Sequence, residues 1–196
     1  MTELRAQKKH TKSQMEYRQG VRNIIATPHY RLQMFETPIE TVEHQFLVLR
    51  QLARKVAPDL HVYLGCEFHS NMEMVEMLRS GEVHTMVGSR YVLTEFSGST
   101  KASYIRERLY SLLSHGYKPI VAHIERYECM RKDIGFVEEN GRSRCAYAGE
   151  CRQYHWKDGL VPNDTVKAYE TGSAQFVGSD CHGTKERISR IGEAYD

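Results

Sequence analysis

The sequence predicts an α/β protein built on parallel strands, with its chemistry at the strands' carboxyl ends. Three observations carry that prediction. Short β-rich runs alternate with segments of helical period. The runs stop at His, Glu or Asp instead of turn residues, and several of the ten histidines fall at those stops.

In chain order, residues 1–19 read as one polar helix, with acids among the bases and no secretory-signal pattern. Residues 21–28 form a strand that runs into His29. Residues 37–57 form a helix capped by Thr37, with Ile39, Val42, Phe46, Leu49, Leu52 and Val56 near one face. A second strand, 60–66, runs into Glu67, with His69 two positions on. A helix over 71–80 places Met74, Val75 and Leu78 together and stops at Gly81. The strand 90–94 runs into Glu95. The helix 102–115 gathers Ile105, Leu109, Leu112 and Leu113 and stops at Gly116. The strand 118–122 runs into His123, followed by Glu125 and Arg126, and the strand 174–179 runs into Asp180, Cys181 and His182. Residues 183–196 form a last helix. The alternation fits a barrel or an open doubly wound sheet, and five strand ends of this kind favour the barrel.

Composition narrows the function. The 196 residues suit one domain, and the formal charge of +2 provides no basic surface for nucleic acid. Mean hydropathy is −0.57, and no apolar run approaches the roughly 20 residues that span a bilayer. Cys66, Cys129, Cys145, Cys151 and Cys181 form an odd set without a C-x-x-C pair, which reads as reduced thiols in a cytoplasmic protein.

Histidines and carboxylates without thiolates suit Zn, Mn or Fe, and several carboxylates allow a cluster of two or three ions. Such a cluster turns water into a nucleophile and clamps the oxygens of an in-line displacement at phosphorus. Arg126 and Arg187 are candidates to grip phosphate bidentately. The expected chemistry is metal-activated hydroxide attacking a phosphate monoester. Cys181 lies between two candidate ligands and opens no phosphate loop, which argues against a cysteine-phosphoenzyme. Taken singly, His29 could be a satisfied strand-end histidine, and Glu67 or Glu95 a helix cap or surface acid. Together the five ends read as one metal site. His10, His44, His61, His84 and His115 read as structural or solvated, and His69 as a residue lining the pocket.

The segments Ile24-Ile25-Ala26-Thr27-Pro28-His29-Tyr30, Gly65-Cys66-Glu67, Ser89-Arg90-Tyr91-Val92-Leu93-Thr94-Glu95-Phe96, Ala122-His123-Ile124-Glu125-Arg126-Tyr127 and Gly178-Ser179-Asp180-Cys181-His182-Gly183 are specific in order and spacing. They resemble the bacterial tyrosine phosphatases of the polymerase and histidinol phosphatase (PHP) superfamily, manganese-dependent enzymes of capsule and exopolysaccharide synthesis. The resemblance implies a distorted seven-stranded TIM-like barrel, with residues 1–196 as a single domain. It also implies His29, Glu67, Glu95, His123, Asp180 and His182 as ligands of two or three Mn2+ ions, with Arg126 and Arg187 engaging phosphate. The implied substrate is phosphotyrosine in the tail of a bacterial tyrosine kinase. Nucleic acid and membrane insertion play no part in it, and a homo-oligomer is compatible with it. Two alternatives stay open: a small phosphate monoester such as histidinol phosphate as substrate, or a non-catalytic, kinase-docking remnant.

Two stretches, 1–16 and 144–156, depart from the family pattern. Members open with a strand ending in His-x-His. No such strand precedes residue 21 here, so the resemblance implies a barrel without its first strand and an exposed edge on the strand 21–28. The stretch 144–156 shows no strand or helix period where the family has a buried strand. A permitted back-translation read one base later restores a family-like strand and glycine turn, so the stretch reads as locally out of frame.

Overall fold

The computed structural model describes residues 3–132, 145–150, 175–184 and 188–192. Helix α1 (Glu3–Arg18) leads into strands β1 (Asn23–Ala26) and β2 (His29–Tyr30), then α2 (Ile39–Val56), β3 (His61–Leu64) and β4 (Glu67–His69). The chain continues through α3 (Met74–Ser80), β5 (Tyr91–Glu95), α4 (Ala102–Ser114) and β6 (Lys118–Val121). The short α5 (Glu128–Lys132), β7 (Ala146–Glu150) and β8 (Phe176–Gly178) follow.

The predicted strand 21–28 is divided into β1 and β2, and 60–66 with Glu67 into β3 and β4, yet one register runs through both breaks. Asn23 lies beside His61 in the first pair and His29 beside Glu67 in the second, a constant offset along two parallel ladders. Pro28 has no N–H to give the ladder, and the break falls there. The gap is spanned by the Gly65 N–H to the Ala26 carbonyl (2.9 Å) and the Glu67 N–H to the Pro28 carbonyl (3.1 Å). Gly65 leaves room for its neighbours at that bend. A Cβ on it would lie 2.7 Å from Met86 Sδ and 3.2 Å from Ile25 Cγ2.

β1 pairs with β3 and β2 with β4, and from β4 on each strand pairs in parallel with the next along the chain, through β5, β6 and β7 to β8. A doubly wound sheet reverses its order at a switch point. This one does not, and the outcome is a curled, parallel half-barrel. Among the described residues, β1 has β3 as its sole ladder partner, which matches the exposed edge expected there. Ile25 on that strand is exposed.

Three apolar clusters hold the layers together. Phe96, Ile105, Leu109, Val121, Ile124, Tyr127, Met130, Cys145 and Tyr147 join α4 and α5 to β6 and β7. A second cluster, around Phe68, Met77, Val92 and Leu112, lies between β4, β5 and the α3–α4 side. Ala53, Leu60 and Val62 seat α2 on β3. No helix among the described residues is long and apolar enough to cross a membrane.

Several expectations are corrected. Helix α2 starts at Ile39 behind Pro38, and Thr37 makes no cap. The proline pre-sets the entry instead, with φ −53°. Helix α3 starts at Met74, because Asn71 Oδ1 accepts the Glu73 N–H (2.9 Å) and turns the chain first. Residues 183–184 and 188–191 are loop and turn where a helix is predicted, and Gly192 has 3-10 geometry, while 185–187 and 193–196 lie outside the described residues. The stretch 145–150 is a strand after all. Cys145, Tyr147 and Gly149 alternate inward with half-buried Ala146 and Ala148 between them. Small residues concealed that period-two pattern.

Candidate metal centre

The parallel register assembles the site. His29 and Glu67 are ladder partners, and so are His69 and Glu95, so neighbouring strand ends present donors side by side. His123 follows β6, and Asp180 and His182 follow β8. Both His123 (φ 55°) and Asp180 (φ 43°) adopt the left-handed region, a strained conformation for residues with a Cβ that is met at functional sites.

Glu67 lies at the centre. Its Oε1 accepts from His123 Nε2 at 2.6 Å, both side chains being buried, and its Oε2 lies 3.7 Å from His29 Nδ1. His29 Nδ1 is 3.5 Å from Glu95 Oε1, and Glu95 Oε2 is 4.0 Å from His123 Nε2. His29, Glu67 and Glu95 offer donor atoms within 4.8 Å of one another, as do Glu67, His123 and Asp180, so Glu67 belongs to both groups. At the rim, His182 Nε2 is 3.2 Å from His29 Nε2, and His182 Nδ1 is 3.0 Å from the Asp180 carbonyl. Arg126 Nη2 donates to Asp180 Oδ2 at 3.2 Å while its guanidinium stays accessible.

Six of the sequence-derived positions, His29, Glu67, Glu95, His123, Asp180 and His182, therefore converge, with Arg126 beside them. Arg187 lies outside the described residues. His69 reaches Ser97 Oγ (3.4 Å) at the border of the site. Its imidazole pKa is lowered by burial and by the Arg31 charge, against the pull of Glu95.

The electrostatics indicate what the cluster is suited to hold. A hydrogen bond to Glu95, aided by the charges of Glu67, Glu95 and Asp180, raises the His29 pKa despite burial. Burial works against the Glu95 charge, but His29, His123 and His69 outweigh it and keep that carboxyl below its ordinary range. Three carboxylates drawn into a recess with imidazoles form a donor set for a hard or borderline divalent cation. The 3.5–4.0 Å separations of His29 from Glu67 and Glu95, and of Glu95 from His123, lie at or beyond the long limit of a hydrogen bond and are looser than the 2.6 Å Glu67–His123 contact.

Two contributors escaped sequence reasoning. The buried Tyr127 hydroxyl donates to the Ala122 carbonyl (2.7 Å) and accepts the Phe96 N–H (3.1 Å). It thus ties the residue after Glu95 to the residue before His123. Its place four residues after His123 was the available signal. Glu125 is buried, neither carboxylate oxygen has a hydrogen-bond partner among the described residues, and burial raises its pKa. Cys181 donates to the Gly183 carbonyl (3.5 Å), and burial raises its thiol pKa, as expected of a cysteine that is not a nucleophile.

The family described as capsular polysaccharide synthesis, CpsB/CapC, matches residues 6–196. The chain is 35% identical over 188 residues to the tyrosine-protein phosphatase CpsB of Streptococcus pneumoniae, covering 92% of this chain and 76% of that protein. It is 27% identical over 180 residues to the tyrosine-protein phosphatase YwqE of Bacillus subtilis (strain 168), covering 90% and 70%. Among solved structures it superimposes with a TM-score of 0.87, at 25% identity, on a chain from the crystal structures of YwqE and CpsB, described as unique metal-dependent tyrosine phosphatases. That match covers 96% of this chain and 77% of the other. With the family model matching residues 6–196 and the fold in agreement, the chain belongs to the CpsB/CapC family of capsular polysaccharide synthesis.

Proposed function

We propose that this chain is a metal-dependent protein-tyrosine phosphatase. His29, Glu67, Glu95, His123, Asp180 and His182 hold two or three Mn2+ ions, and Arg126 and Arg187 engage the phosphate. The substrate is the phosphotyrosine tail of a bacterial tyrosine kinase that controls polysaccharide export, in the cytoplasm. The chain acts as a single domain, 1–196, and the curled sheet is the family's distorted seven-stranded barrel with six strand positions described. One observation carries the reading. Donors from strand ends spread over more than 150 residues of sequence meet in one recess, with Glu67 shared by two donor groups.

A divalent ion bound there supplies Lewis acidity and makes water nucleophilic at neutral pH. The protein's own residues do the rest. Glu67, Glu95 and Asp180 set the negative charge of the recess and thereby its demand for cations. His29 and His182 stand at the rim, where a phosphate monoester enters. Arg126, which donates to Asp180 and is partly exposed, carries the planar guanidinium that suits the paired oxygens of a phosphate. The Tyr127 hydroxyl keeps the strand ends of β5 and β6 in register with each other.

Metal content by mass spectrometry, with hydrolysis of a phosphotyrosine peptide in added manganese on the same sample, tests the reading. Two or more ions per chain with turnover are expected. Metal-free protein without turnover would overturn it in favour of a non-catalytic docking role.

A further inference from the structure

The turn that follows β2 presents an aromatic ring at the mouth of the site. Arg31 and Phe35 form an antiparallel bridge. The Phe35 N–H donates to the Arg31 carbonyl (2.8 Å), the Arg31 N–H to the Phe35 carbonyl (3.1 Å), and the Met34 N–H to the Arg31 carbonyl (3.1 Å). Gln33 takes a left-handed conformation (φ 62°) to close this turn. The result is a tied loop that holds two large apolar side chains in water, Met34 at 59% exposure and Phe35 at 50%. Leaving a phenylalanine this exposed forgoes much of what its burial would contribute.

The placement of the ring supplies a reason. The Phe35 ring centroid is 6.0 Å from that of His29, and His29 is 5.4 Å from His182, each pair inclined at 32°. Phe35, His29 and His182 thus form a chain of ring contacts in which His182 lies beside Asp180 and His29 beside Glu67 and Glu95. An aryl phosphate carries its ring one ester oxygen from phosphorus. With its phosphate among His29, His182 and Arg126, that ring emerges along these contacts. Aromatic pairs favour offset or edge-to-face contacts at centroid separations of about 4.5–7 Å, within reach of Phe35.

We propose that Phe35 is a specificity-determining residue that receives the aryl group of the substrate and makes the site prefer aryl to alkyl phosphate esters. The proposal rests on the phosphatase reading above. It assigns the phenyl ring to this chain's own exposed turn and the phosphate to the histidines and Arg126.

The test compares phenylphosphonate with methylphosphonate, titrated into the manganese-loaded protein by calorimetry, for wild type, Phe35→Ala and Phe35→Tyr. Hydrolysis of phosphotyrosine and phosphoserine forms of one peptide gives a second readout. Wild type binds phenylphosphonate more tightly than methylphosphonate. Phe35→Ala lowers the phenyl-to-methyl affinity ratio about tenfold, the scale of one aromatic contact with its buried area, and raises KM for the phosphotyrosine peptide. Phe35→Tyr restores both. A ratio that Phe35→Ala leaves unchanged, or equal weakening of both phosphonates, overturns the proposal and leaves the phosphatase reading intact. Wild-type protein that binds neither phosphonate overturns both.

Discussion

Glu67→Gln separates a shared metal ligand from a structural carboxylate. Glutamine keeps the side chain's volume and one oxygen but removes the charge next to His123 (2.6 Å) and near His29 (3.7 Å). Because Glu67 belongs to both donor groups, the substitution weakens both positions, whereas Glu95→Gln and Asp180→Asn each weaken one. Losing even a residue that only supports a metal ligand costs about 10–100-fold in affinity. For this direct donor a loss of at least about a hundredfold is expected, or about 2.7 kcal/mol. Manganese at 100 times its wild-type dissociation constant stabilises wild type by about 2.7 kcal/mol. For a chain of this size that is about 5–10 °C in Tm, and the gain shrinks to about 1 °C in Glu67→Gln. The metal-free variant melts no lower than metal-free wild type, since two like charges lie close to the one removed. Thermal melts with and without manganese, together with ion counts by mass spectrometry, measure both quantities. A Glu67→Gln protein that keeps two ions, or that loses one as Glu95→Gln does, would refute the shared-ligand geometry. A large fall in the metal-free melting temperature would instead make Glu67 a structural residue.

The same site and its packing set further measurable outcomes. The raised His29 pKa means a metal must displace a proton held by Glu95, so manganese affinity should climb with pH and level off above that pKa, with proton release in calorimetry. Affinity independent of pH from 6 to 8 would contradict it. Cys181→Ser should leave turnover within about twofold, because burial keeps this thiol protonated, and Cys66, pushed up to about 12, should resist alkylation at neutral pH. Leu109→Ala empties a fully buried position beneath the loop that carries His123. It should cost about 2–5 kcal/mol in urea unfolding. Glu125→Gln should stabilise the protein at pH 7. A carboxyl with a raised folded pKa favours folding when protonated and loses that advantage as pH rises through the folded value. Gln removes the charge and flattens that part of the pH dependence. A fall in Tm at pH 7 would show that the Glu125 charge has a partner.

The site was legible because each ligand type interrupts an apolar run at a strand's end, a local signal that needs no knowledge of the fold. The positions His29, Glu67, Glu95, His123, Asp180 and His182 are marked that way, and while the alternation alone fits two layouts, the five strand ends favour the barrel with its sequential order. What stayed hidden depends on distance or on subtle local chemistry. The Tyr127 hydroxyl acts on two different strands, and no periodicity marks it. The division of the first two strands comes from one missing N–H at Pro28 and one missing Cβ at Gly65. β7 was overlooked because Ala and Gly take its alternate positions, where larger apolar residues would have announced a strand.

Those same strand ends also close the molecule. β2 and β8 stand at opposite ends of the six-strand order, and no ladder hydrogen bond joins them among the described residues. Yet His29 in the first of these and His182 after the other lie 3.2 Å apart, so the half-barrel curls until its ends meet at the carboxyl side. On the helix side, α1 spans the opening. Glu16 accepts the Ser189 hydroxyl (2.8 Å), and Gln19 donates to the Ser189 carbonyl (3.1 Å) and accepts the Gly192 N–H (3.0 Å). Burial raises the Glu16 pKa, so this bridge relies on its hydrogen bonds and not on exposed charge. Donors from both sides of the opening therefore face one recess, and an ion bound as proposed would fasten the first strand ends to the last. Metal binding and tertiary closure would then be one equilibrium, so the melting temperature tests the proposed ligands as directly as activity does.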